Sequence, residues 1–115
     1  MKQTIDSVLQ SVGVFRHYCG YRYLILAVKL AAREPQRLQN VRKEIYLPVA
    51  QMCHTDIMNV EKNIRTVRDV MMRNGGARLL SEMTEDVWTN NAPYPKEIIE
   101  IFAEYFADGL KENGL

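Results

Sequence analysis

Apolar residues recur in steps of three and four along most of this chain. Ile5, Val8, Leu9 and Val12 make one stripe, and Tyr21, Leu24, Ile25, Val28 and Ala31/Ala32 a second. Ile57, Val60, Ile64, Val67 and Met71 make a third. This period is one face of an α-helix. It predicts helices over Lys2–Val12, Tyr18–Ala32, Leu38–Cys53 with a break near Pro48, Asp56–Arg73, Ala77–Met83 and Lys96–Asp108. Gly13, Pro35, Asn74-Gly75-Gly76 and Gly109 are expected to end the helices before them, and Pro95 to open the last. Ile98, Ile99, Ile101, Phe102, Tyr105 and Phe106 give that last helix a broad apolar cover. Thr84 to Tyr94 reads as irregular. There is no period of two and no hairpin signal. The expected fold class is therefore all-α, a multi-helix arrangement of about six helices. Residues 1–115 are expected to form a single domain.

Residues 45–73 are the most informative stretch. They read as two helices separated by a sharp turn at Cys53-His54-Thr55, with Thr55 the expected N-cap of the second and Asp56 favourable at its positive end. A helix-turn-helix needs a small residue where the second helix passes close to the first, and Ala50 supplies it. The turn needs a residue that tolerates a left-handed backbone, and His54 belongs to the enriched types. Val60 must be apolar to lock the pair. The outward side of the second helix then shows Asn59, Lys62, Asn63, Arg65, Thr66 and Asp69. A helix held by one face and offering amides, a hydroxyl and cations on the other suits a DNA major groove. Lys62 and Arg65 lead the DNA candidates, and Asn59 and Asn63 have the chemistry to read adenine. Arg68, Arg42 and Lys43 would anchor phosphates. A plain helical corner satisfies the same spacing. Its charges would then be solvated surface, including an i,i+4 pair between Glu61 and Arg65.

Charge sharpens the picture. The net charge is only +1. Yet residues 16–78 hold twelve Lys and Arg against five Asp and Glu, a surplus of seven positive charges. Residues 79–115 hold two against eight, a surplus of six negative ones. Such a field attracts a polyanion to one region and repels it from another. No apolar run approaches the roughly 20 residues of a membrane helix, and the first ten residues lack a secretory core. A cytoplasmic protein without membrane association is expected, with reduced thiols at Cys19 and Cys53.

The chain also resembles a known family. Val12-Gly13-Val14-Phe15-Arg16-His17-Tyr18-Cys19-Gly20-Tyr21-Arg22-Tyr23-Leu24 is similar to a Gly-hydrophobic-…-His-x-x-Gly-Tyr-x-Tyr-Leu segment. Ile45-Tyr46 through Gly75 and Ala92-Pro93 through Phe106 carry the likeness on. These segments resemble the C-terminal DNA-binding effector domain of the sporulation initiation (stage-zero) response regulator family. The resemblance implies a sequence-specific, double-stranded-DNA-binding transcriptional regulator, with copies able to sit side by side on DNA as a homodimer. It places Glu61 and Lys62 where the family has a Glu-Arg pair near base edges, and Arg65 on a family arginine. Met58 and Asn59 replace a Ser-Arg pair, which implies an altered or weaker site preference. It also implies that Asp69, Arg73, Asn74 and Arg78 face the sigma subunit of RNA polymerase. A receiver domain precedes this domain in the family. This chain is read as the effector-like part alone, with its helix-turn-helix core at 45–73 and no receiver domain.

Other chemistry is poorly supported. His17, Cys19, Cys53 and His54 form two close pairs, but their spacings are unlike zinc-ligand pairs, and no metal or cofactor is expected. Glu82, Glu85 and Asp86 sit among other acids on a solvated segment. No phosphate loop or nucleophile constellation stands out, so no enzyme is expected. The rival reading is a helical interaction or adaptor module of the same fold that has lost DNA recognition, with Met71 and Met72 near its adaptable surface.

Overall fold

A computed structural model describes residues 4–88 and 92–112, with side chains through Ala107. Lys2 and Asn90-Asn91 lie outside the described residues. The helices are α1 (Ile5–Ser11), α2 (Cys19–Arg33), α3 (Leu47–Met52), α4 (Ile57–Arg73), α5 (Gly76–Thr84) and α6 (Pro95–Glu112). A 3₁₀ stretch, Pro35–Asn40, and a π-helical stretch, Arg42–Tyr46, lead into α3. The fold is all-α, with no strand among the described residues.

The central element is α2, which packs most extensively against α6 and next against α4. Its buried side is wider than the sequence period alone indicates. Tyr23 and Ala27 are buried beside Tyr21, Leu24, Val28, Ala31 and Ala32, while Ile25 is only half-buried. On α4 the buried set is Val60, Ile64, Val67, Val70 and Met71, with Ile57 half-buried at the edge. Phe102, Ile98, Ile99 and Ala103 carry the contact of α6; Tyr105, expected in its apolar cover, is exposed. These positions belong to one continuous core.

Two helix ends share one device. At the end of α1, the Gly13 N–H donates to the Gln10 carbonyl and the Val14 N–H to the Leu9 carbonyl, with Gly13 at φ +80°. This is the Schellman closure, in which a left-handed residue lets the chain satisfy the last carbonyls. The end of α3 repeats it with a histidine, as described below. The start of α1 is closed by reciprocal bonds between Thr4 and Ser7.

The expected break near Pro48 takes a specific form. Proline has no N–H, so the Glu44 carbonyl loses the donor four residues on. The backbone widens into the π stretch just before it, and the Leu47 N–H reaches back to the Arg42 carbonyl. The Arg37 Nη1 then donates to the Glu44 carbonyl at 2.7 Å. Two further expectations shift. Asp56, not Thr55, is the N-cap of α4, because its carboxylate accepts the Asn59 N–H at 2.8 Å. The α6 backbone runs past Gly109 to Glu112, since an interior glycine costs a helix only about 1 kcal/mol and forces no stop. The segment after α5 is anchored at Trp88, whose Nε1 donates to Thr84 Oγ1 at 3.0 Å.

Gly20 sets the distance between α2 and α4. A Cβ built there would stand 2.2 Å from the Asn63 carbonyl oxygen and 2.6 Å from Val67 Cγ2. Gly20→Ala should therefore lower stability by about 1–3 kcal/mol or more, the range for overpacking a core. Denaturant unfolding measures it. An unchanged midpoint would mean that the two backbones do not meet at this distance.

Candidate nucleic-acid interface

The turn between α3 and α4 is built from the backbone outward. His54 has φ +54°. Its N–H reaches the Gln51 carbonyl, and the Thr55 N–H donates to the Ala50 carbonyl at 2.9 Å. That is the same Schellman pattern as at Gly13, with histidine accepting the left-handed position. Ala50 and Val60 are fully buried on the two helices that pack here. Cys53, beside them, is half-buried against the core, and Cys19 is exposed.

The inner edge of α4 is fixed by a chain of polar bonds. The Asn59 amide donates to Thr55 Oγ1 at 2.9 Å and to the Tyr23 hydroxyl at 3.3 Å. The Asn63 amide donates to the Asn59 carbonyl at 2.8 Å and to Asn59 Oδ1 at 3.0 Å. Both asparagines are half-buried, and their amide groups serve the fold. Arg68 is also engaged: it donates to the Pro93 carbonyl at 3.3 Å and pairs with Asp69 at 3.1 Å, its side chain only 17% exposed. It ties α4 to the segment ahead of α6. Of the residues read from sequence as DNA candidates, these three hold the helix in place.

The outward side is a different set. Met58, Lys62, Arg65 and Asp69 fall at i, i+4, i+7 and i+11, one stripe along the helix, and all four are exposed. Thr66 is exposed beside them, its hydroxyl donating to the Lys62 carbonyl at 3.1 Å. Neither Lys62 nor Arg65 has an ion-pair partner among the described residues. Glu61 does not pair with Arg65. Its carboxylate takes Arg42 Nε at 3.2 Å, from the π stretch. Arg42 and Lys43 are exposed there. Tyr46 lies under this cluster. Burial first, then the Glu61 carboxylate, push its hydroxyl up from 10.0 to about 12, against a smaller opposite pull from Arg65.

The other sequence-derived candidates gather at the far end of α4. Asp69 is held by Arg68, and the Asn74 amide donates to the Val70 carbonyl at 2.8 Å. Arg73 is exposed, and Arg78 pairs with Glu82 at 3.3 Å on α5. His17 stacks on Tyr18 at 4.5 Å between ring centres. Among the described residues no three His, Cys, Asp or Glu side chains converge as a metal site. No described helix is long and apolar enough to cross a membrane.

The geometry is that of a helix-turn-helix with an exposed cationic stripe. The family model described as sporulation initiation factor Spo0A C terminal matches residues 5–106. The chain belongs to this family. It is thereby placed among the DNA-binding domains of sporulation transcription regulators, and the family is regulatory, not catalytic. The Spo0A C-terminal match spans every helix from α1 into α6. Met58 shares the exposed register of Lys62 and Arg65, a phase readable from spacing, while the resemblance marks it only as a departure from the family pattern.

Two expectations follow for the fold around the site. Asn59→Ala should lower stability by about 1–2 kcal/mol, the cost of leaving buried partners unpaired. Denaturant unfolding of the free protein tests this, and an unchanged midpoint would return Asn59 to the solvent side. Tyr46 should shape the alkaline limb. Its hydroxyl holds its proton more tightly folded than unfolded, so its contribution is intact below pH 10 and lost as pH rises toward 12. Tyr46→Phe should flatten that part of the loss, read from unfolding midpoints across the alkaline range.

Proposed function

We propose that this domain is a sequence-specific transcriptional regulator with α4 as its recognition helix in the major groove of double-stranded DNA. One observation carries the reading. The inner side of α4 is locked by core packing and the asparagine bonds, while its outer stripe presents Lys62 and Arg65 without ion-pair partners among the described residues. Residues in the first half of a recognition helix reach base edges, and flanking cations hold phosphates. Lys62 is assigned to a base edge, where it donates as a point charge and lacks the planar fork of arginine. Arg65 is assigned to a guanine edge or the phosphate beside it. Glu61 is an acceptor with the chemistry to take a cytosine amine. Arg42 and Lys43, one turn-helix away on the π stretch, are assigned to phosphates. Thr66 lies at the margin of the stripe.

The opposite end of α4 fits a second contact of the same function. Asp69, Arg73, Asn74 and Arg78, from the end of α4 to the start of α5, are all exposed. This set is our assignment for the sigma subunit of RNA polymerase when the domain activates transcription. Side-by-side copies on adjacent boxes, a homodimer on DNA, are consistent with that set left free of the groove.

The test is a titration of random and selected duplexes at low and high salt. Binding should weaken with salt, and the log–log slope should fall by about one for each phosphate contact removed. Lys62→Ala with Arg65→Ala should abolish duplex preference while the helical circular-dichroism signal is retained. Preference that survives the double change would move the site off this stripe. An absence of any salt-dependent binding would favour the adaptor reading instead.

A further inference from the structure

We infer that Met58 is a specificity-determining residue of this domain, one that packs against the C5-methyl group of a thymine in the major groove. The inference rests on α4 being the recognition helix. Met58 is in the first turn of α4 and 74% exposed. It lies one helical step ahead of Lys62 on the same stripe, at the end of the helix that reaches deepest toward bases. A methionine so exposed adds little to the core, and its thioether is free to meet a ligand.

Its neighbours hold it there. The Asp56 carboxylate caps the Asn59 N–H at 2.8 Å, and the Asn59 side chain is tied to Thr55 and Tyr23. Rotating the first turn to bury Met58 would break all of these bonds. The side chain therefore stays on the outward stripe, beside Lys62.

The chemistry then selects the base feature. Base edges in the major groove offer donors and acceptors, together with one apolar group, the thymine methyl. A thioether is at most a weak acceptor, so a methionine gains chiefly from the methyl. The resemblance places a serine at this position, which would offer a hydroxyl. Methionine in its place exchanges a polar reader for an apolar one and gives this chain a preference of its own.

The experiment uses a duplex selected from a random library by the chain itself. Each thymine is replaced singly by deoxyuridine, which removes only the methyl. The wild-type chain and Met58→Leu should lose about three- to fourfold in affinity at one thymine, the factor expected from one buried methyl group. Met58→Ser and Met58→Ala should bind all the substituted duplexes alike, with an unchanged salt slope because no phosphate contact is lost. A flat uracil scan for the wild-type chain overturns the inference while leaving duplex recognition standing. So does a scan whose sensitive thymine stays sensitive in Met58→Ala. If selection enriches no duplex, the reading of α4 itself fails and this inference goes with it.

Discussion

The outward side of α4 can face a ligand only because its inner side is pressed against α2 at a position where α2 carries no side chain. Gly20 is where that happens. The Asn63 carbonyl and Val67 stand where any Cβ would go. Backbone-to-backbone approach sinks α4 deep enough for Val60, Ile64, Val67, Val70 and Met71 to be buried together. A helix seated less deeply would have room to roll, and roll decides which residues form the stripe. A rotation of one residue, about 100°, would exchange Lys62 for Asn63. The packing at Gly20 is thus also a statement about which chemistry faces outward.

Polar bonds then add what packing lacks, a fixed phase. Apolar contacts are not directional, whereas the bonds from Asn59 to Thr55 and Tyr23 are. They link the turn, α4 and α2 in one chain. Arg68 does the same lower down by holding the Pro93 carbonyl. The stiffness has a functional consequence. Reading base edges requires side chains placed to a fraction of an ångström by a rigid element, and α4 is restrained at its first turn and along its middle. The residues that supply this restraint have their polar groups engaged within the fold, so the outward set is smaller and more apolar than the list of polar residues on the helix.

Much of this was legible in the sequence. The 3.6-residue period located the helices, because burial on one side is what the period records. Gly13 and His54 marked left-handed closures, since few residue types accept that backbone. The misses have physical causes too. Val70 lies off the simple stripe and is buried because α5 and α6 also close on α4. Asn59 and Asn63 look like outward amides in a helical projection, and only the position of Tyr23 on another helix reveals their use. Asp56 took the cap from Thr55, and Thr55 became an acceptor for Asn59, an exchange that two adjacent capping types do not disclose. The π stretch depended on Arg37 reaching a carbonyl seven residues away. In each case the missing information was a tertiary partner. Met58 is the exception, since its phase with Lys62 and Arg65 lies in the spacing itself.

The electrostatics follow the same local logic. A net charge of +1 says little about binding a polyanion. At physiological ionic strength charges are felt over roughly 8–10 Å, so only the immediate surroundings of the stripe count. Two of the carboxylates there are matched, Glu61 by Arg42 and Asp69 by Arg68, and a third, Asp56, takes up the Asn59 N–H. Matching reduces the repulsion that a bare carboxylate would present to phosphate, and Lys62 and Arg65 have no ion-pair partner among the described residues. The acidic half of the chain does not reverse this, because none of its described carboxylates pairs with either cation. Glu61 gains something more. Held by one guanidinium, it keeps an oriented acceptor at the helix surface, which the base contact proposed for it requires, since a carboxylate's charge alone would only repel the backbone.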